Sequence, residues 1–363
     1  MASTPFFQKS LRTVLIVVSV LSFVRLECNA FSLSSSASTQ QLTYNLQNSR
    51  SEQDASIENW YRSQHILGTS HISLCTSDKS VGGRGLFWVD NKNPPQRGDV
   101  LAYIPSTSLI TRSNLMGKYP ELNKMEELDF SLSWQATLTT YARYCLEYPK
   151  EDGMNREEWI KSWSGGGPGA PRPSTSYSMQ ELTTLSEITD APIDLQVVKE
   201  VIDARYDTFT ADLNDVKEFN EGVHAAQLFG ELYSIILSRT ASLGPEWQNQ
   251  SGIIPFHDMI NHPPIDHESN VELFCFGDVR KMIGYVHSNE MIKRLVAKAD
   301  ENGTSGDNTV LYRDPRDTDI LLVASRDIEA GNELWLSYKN TKKEMKDEEK
   351  LWAMLQYGFP FHA

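Results

Sequence analysis

Cysteine is scarce in this chain: four residues in 363, Cys28, Cys75, Cys145 and Cys275, none in C-x-x-C spacing. That scatter indicates neither a disulfide framework nor a thiolate zinc site. Positive charge is the second shortage, with 34 Lys plus Arg against 48 Asp plus Glu and a net charge of −14. Long-range attraction to phosphate backbones or anionic lipid is disfavoured by that balance, so no nucleic acid is expected as partner and a basic partner is favoured. The apolar run Val14 to Val24 is roughly half of the ~20 residues a spanning helix needs, and no membrane contact is expected once it is removed. No internal repeat is visible. What remains, 363 residues of which 40% are hydrophobic, is enough to bury a sizeable core in two or three structural units.

Lys9 and Arg12 precede the run Val14 to Val24, and Cys28-Asn29-Ala30 follows with small residues, so residues 1–30 read as a secretory signal peptide cut after Ala30. Residues 31–51 are rich in Ser, Thr, Gln and Asn, and 31–50 contain no Asp or Glu, a composition that cannot form a core. This two-part leader resembles the presequence of proteins sent to plastids bounded by extra membranes, the alternative being a linker on a secreted or endoplasmic-reticulum protein. The sequons Asn249-Gln250-Ser251 and Asn302-Gly303-Thr304 do not decide the compartment.

From His71 to Thr111, short apolar runs alternate with turn residues, predicting strands over Ile72–Cys75, Gly85–Val89 and Asp99–Ile104. The periodicity then becomes helical, most clearly at Leu195, Val198, Ile202, Tyr206 and Phe209. A Gly/Pro-rich loop at 164–173 interrupts it. Leu228 to Leu237 predicts a helix ending at Ser238-Arg239-Thr240, before Gly244-Pro245. Asn270–Phe276, Ile320–Ser325 and Glu333–Tyr338 predict strands, so the second half reads as mostly β. Lys343–Leu355 predicts a charged helix with Leu351, Met354 and Leu355 on one face.

The densest chemistry lies in Ile253 to His262, I-I-P-F-H-D-M-I-N-H, where an apolar run turns into a cluster of donors and acceptors. One reading is a metal site on His257, Asp258, Asn261, His262 and His267. Against it, the spacing of five between His257 and His262 does not put both on one helix face, and Pro263-Pro264 forbids continuing a helix. A second reading is a turn capped by the short side chains of Asp258 and Asn261.

Four landmarks occur in order: Gly82-Gly83-Arg84-Gly85-Leu86, the D-M-I-N-H of 258–262, Ala330-Gly331-Asn332-Glu333-Leu334-Trp335-Leu336-Ser337-Tyr338, and Tyr357-Gly358-Phe359. Together they resemble the SET-domain protein methyltransferases, in the branch similar to RuBisCO large-subunit lysine methyltransferases. The resemblance implies an α+β protein with the SET (β-clip) fold, short twisted sheets split by a mainly helical insertion. Its parts are expected at 52–110 (SET N-terminal part), 111–225 (insertion) and 226–363 (SET C-terminal part). It implies S-adenosylmethionine as cofactor, held by Gly83, Arg84, Gly85 and Leu86, by Arg239, and by Asn261 and His262, with Asp258 bracing the turn. It implies Tyr338 as the catalytic tyrosine, with Tyr357 and Phe359 walling a substrate channel. No metal is implied. The partner implied is a non-histone protein with an accessible lysine.

Each of these residues also has a plainer role open to it: a cation favoured at a helix C-terminus for Arg239, core packing for the aromatics. Lys339 stands where the family usually has Gly, and the Tyr338–Tyr357 linker, in which the resemblance would set Asn340 against the cofactor, is longer than usual. The chain as given stops at Ala363, without room for the helical C-terminal substrate-binding domain of the RuBisCO-type enzymes. Two further classes of function therefore stand beside the methyltransferase: a SET-like binding module without activity, and a metal-dependent hydrolase.

Overall fold

The computed structural model describes residues 52–77, 84–115, 133–148, 154–163, 178–180, 182–184, 196–197, 199–200, 204, 232–233, 235–263, 267–301 and 314–337. The leader, the loop at 164–173, the periodic positions Leu195 to Phe209, and Gly83, Tyr338, Lys339, Asn340, Tyr357 and Phe359 lie outside the described residues. In chain order the elements are α1 (Glu52–Ser63), β1 (Ile72–Thr76), β2 (Arg84–Trp88), β3 (Val100–Ile104), β4 (Ile110–Thr111), α2 (Ser133–Glu147), α3 (Glu157–Trp163), β5 (Thr240–Ser242), β6 (Ser251–Ile253), β7 (Val271–Cys275), α4 (Phe276–Ile283), α5 (Tyr285–Glu301) and β8 (Ile320–Ala324).

The strands make three small antiparallel sheets: β1-β2, β3-β8-β7 and β4-β6-β5. In β8 the run I-L-L-V-A is buried throughout because both its faces are covered. Ile320, Leu322 and Ala324 belong to the main core, while Leu321 and Val323 pack with Phe276, Val279, Ile292 and Leu295 of α4 and α5. The main core extends from there to α1, α2 and α3. Trp60 of α1 stacks on Trp159 of α3 with centroids 4.7 Å apart, and Tyr61 meets Phe256 edge-on at 5.5 Å.

Beyond the strands, Leu67 exchanges two backbone hydrogen bonds with Tyr103, N to O at 3.0 and 3.2 Å. Gly68 follows at φ +92°, where a Cβ would stand 2.0 Å from the Leu101 carbonyl oxygen. Only glycine can turn the chain so close to β3.

The second half departs from the expected β content: α4 and α5 occupy 276–301 between β7 and β8. Their signal is masked by the apolar residues at the junction, where Met282 and Val286 are 62% and 70% exposed while Val279, Ile292 and Leu295 face the core. Gly284, at φ +81°, separates the two helices. Glu333–Tyr338 is not a regular strand where described. Glu333 bridges antiparallel to Phe87, whereas Trp335 and Leu336 bridge parallel to Asn261 and Val271. The segment changes partners within four residues, so no single ladder forms.

Candidate functional site

Pro255 ends the β6 run, and Phe256 turns the chain at φ 74°, ψ −51°. A bulky residue at positive φ carries strain of about 1–3 kcal/mol, which the surrounding packing must offset. Phe256 is 1% exposed. A single 3-10 turn over His257–Met259 follows, closed by Asp258 N to Ile254 O at 3.0 Å and Ile260 N to His257 O at 2.9 Å. The chain then extends, and the Asn261 carbonyl accepts from Leu336 N at 3.0 Å.

On the inner side of the turn, the Asp258 carboxylate is fully buried. Its Oδ2 accepts from both indoles of α3, Trp159 Nε1 at 2.9 Å and Trp163 Nε1 at 3.0 Å. Arg239 donates through Nη1 to the Asp258 carbonyl at 2.6 Å and through Nη2 to the Trp163 carbonyl at 3.5 Å, with Nη1 3.7 Å from Asp258 Oδ2. Burial pushes the Asp258 carboxyl up to about 6 from its ordinary 3.8, against the opposing pull of Arg239 and the two indoles. Burial likewise lowers His257 from 6.5 to about 4, so this imidazole is neutral at pH 7. Among the described residues Asp258 Oδ1 and His257 Nδ1 are buried without a hydrogen-bond partner.

On the other side Asn261 is half-buried and donates both amide protons, to the Arg84 carbonyl at 2.5 Å and to Glu333 Oε1 at 2.8 Å. Glu333 Oε2 accepts from Ser77 Oγ at 2.6 Å, just past the end of β1. Gly85 lies against this pair: a Cβ there would stand 1.9 Å from Glu333 Oε1 and 2.9 Å from Asn261 Nδ2. Asn270 fastens the same segment, accepting from Trp335 N at 2.7 Å and donating to the Glu333 carbonyl at 2.8 Å. Leu334 N donates to the Leu86 carbonyl at 2.7 Å. Arg84, at the start of β2, reaches to 3.7 Å from Asp54 of α1.

Arg84, Gly85, Leu86 and Asn261 thus meet in one place, and Arg239 with Asp258 forms the inner support of the same turn. His262 follows Asn261 and is half-buried. Sequence reasoning passed over Glu333, Ser77, Trp159 and Trp163. A carboxylate between Asn332 and Leu334 in an otherwise apolar stretch was the available signal for Glu333, and W-x-x-x-W on one helix face was the signal for the tryptophans.

For a metal reading, His257, Asp258, His262 and His267 do not gather three ligand atoms within 4.8 Å; among the described residues only Glu246, Cys275 and Asp278 do. There the Lys281 ammonium already stands 2.6 Å from Glu246 Oε1 and 3.8 Å from Asp278 Oδ1.

Three small antiparallel sheets joined through the 258–262 and 333–336 segments, with helices laid against them, define a SET-fold protein of the α+β class. The particular likeness is to the SET domain of LSMT. The structure of that domain bound to lysine and AdoHcy aligns with TM-score 0.52 and 15% identity over 85% of this chain. The structure bound to MeLysine and AdoHcy aligns with TM-score 0.50 and 14% identity over 86%. The chain spans 57% of the length of each of those structures. No protein-family model matches the sequence, and no curated protein does.

Proposed function

We propose that the protein is an S-adenosylmethionine-dependent protein-lysine N-methyltransferase acting on a non-histone protein. The observation that carries this reading is the convergence of Arg84, Gly85 and Asn261 beside Leu336, two residues before Tyr338, within the fold of a lysine-bound SET domain. The residues fit the cofactor chemically. Gly85 leaves room for the Glu333 carboxylate beside Asn261, and the side-chain oxygen Oδ1 of Asn261 carries no hydrogen bond among the described residues, so it can accept from the ammonium of an amino acid. When bound, the cofactor supplies an electrophilic methyl group on a sulfonium.

Gly83, Arg84, Gly85, Leu86, Arg239, Asn261 and His262 are the residues proposed to hold it, with Asp258 bracing the turn from inside. Transfer to an amine needs alignment more than acid or base. The substrate lysine must first lose its proton, which costs roughly 4 to 5 kcal/mol at pH 7 from a pKa near 10.4. A channel walled by Tyr357 and Phe359 lowers that cost by desolvation. Tyr338 holds the neutral amine through its hydroxyl so that the lone pair points at the reacting carbon, and the ring face of Tyr357 tolerates the methylammonium product. The surplus of acidic residues favours a basic protein partner. The leader supports plastid delivery of the mature enzyme.

The test is calorimetric titration with S-adenosylhomocysteine, followed by labelled-methyl transfer into plastid extract. Saturable binding and label in a protein band are expected; absence of both overturns the reading. Tyr338→Phe separates enzyme from binding module: the enzyme loses turnover and keeps cofactor affinity, whereas a module changes in neither respect.

A further inference from the structure

We infer that Glu333 is a positioning residue that fixes which way the Asn261 amide faces, and so makes this part of the site an acceptor for a ligand's amino group. A carboxamide offers two donors and one acceptor, and its neighbours decide which are spent internally. Here both neighbours are acceptors: the Arg84 carbonyl and the Glu333 carboxylate take the two protons of one nitrogen. Two bonds from one atom fix the amide plane, and the carbonyl oxygen is left as the polar atom that no described residue engages. A flipped amide would set its oxygen against two oxygens and lose both bonds.

Glu333 is itself held from three directions. Ser77 Oγ donates to Oε2 at 2.6 Å, Asn270 Nδ2 donates to its carbonyl at 2.8 Å, and the next residue bonds to Leu86 at 2.7 Å. The space for its carboxylate exists because residue 85 has no Cβ. Glu333 is 6% exposed, so its task is done inside the protein, one residue behind the ligand. This inference rests on the methyltransferase reading for the identity of the ligand, but not for the lock itself.

The experiment compares Glu333→Leu with Glu333→Gln, using two probes in calorimetry: S-adenosylhomocysteine, and 5′-methylthioadenosine, which has the same nucleoside and thioether but no amino-acid end. Gln keeps an acceptor towards Asn261 and can donate to the Ser77 hydroxyl, so it should rescue. Glu333→Leu is expected to weaken S-adenosylhomocysteine by about tenfold or more, the scale of one lost charge-assisted hydrogen bond, and 5′-methylthioadenosine by much less. Equal losses for both probes, or none for either, overturn the inference. A readout free of ligand is solvent exchange of the Asn261 side-chain amide by NMR. Slow exchange in the wild type and in Glu333→Gln, and fast exchange in Glu333→Leu, support it; an Asn261 amide already exchanging at the solvent rate in the wild type overturns it. Should the wild type bind neither probe, the methyltransferase reading fails, and the amide exchange still decides whether Glu333 holds Asn261.

Discussion

Asp258 and Asn261 belong to one turn and live in opposite surroundings. The Asp258 carboxylate is sealed among two indoles and a guanidinium, while the Asn261 amide is tied at its nitrogen and open at its oxygen. The sealed group serves the fold, and the open one is the group proposed to meet ligand. Their difference shows how a short segment does both jobs: the inner residue anchors the turn to the helical region through α3, so the outer residue can present a fixed face to the sheets.

The comparison breaks most severely at Asp258. Replacing it with Ala leaves two buried indole donors and the Arg239 guanidinium without their carboxylate, and a loss of about 3–5 kcal/mol in urea unfolding is expected. A titration sharpens it. Asp258 binds its proton more tightly folded than unfolded, so its contribution is largest at low pH and falls as pH rises from 3.8 through about 6, by on the order of 3 kcal/mol. His257 has the reverse sign: with its folded value lowered to about 4, it favours folding above pH 6.5 and loses that contribution as pH falls. The two slopes oppose each other between pH 4 and 6, so the cost of Asp258→Asn, measured by urea unfolding at each pH, should shrink as pH rises across that window. A cost that is flat in pH would contradict the buried environment.

On the open side, Gly85→Ala forces a Cβ against Glu333 Oε1. Overpacking of this kind costs about 1–3 kcal/mol, and S-adenosylhomocysteine affinity should fall with it. The smallest effect is expected at Ser77. Ser77→Ala removes one hydrogen bond to Glu333, about 1 kcal/mol in unfolding, while Asn261 keeps both of its own.

The strands were legible where alternation met firm boundaries. Ile72–Cys75 is found as Ile72–Thr76 and Asp99–Ile104 as Val100–Ile104, because Gly68, Pro105 and the apolar runs between them leave few alternatives. The helices α4 and α5 were not legible, since exposed Met282, Ile283, Tyr285 and Val286 blur the amphipathic stripe on which such a reading depends. At the site, the gathering of Arg84, Gly85 and Asn261 was foreseeable from the motifs. The indoles on Asp258 and the carboxylate on Asn261 were not: W-x-x-x-W and a lone Glu in an apolar stretch mark these residues, but their partners lie 95 to 99 and 72 positions away, and no local pattern names them.

That remoteness governs how the cluster is assembled. Ser77 and Glu333 are 256 positions apart, and Asn261 and Arg84 are 177 apart. Such closures are entropically costly. No fragment or half-folded species can therefore bring Arg84, Asn261 and Glu333 together, and the amides of Leu334 and Leu336 should open to deuterium only when the whole domain unfolds. On the proposed reading, activity would certify that segments beginning at Ser77 and ending at Leu336 have all found their places.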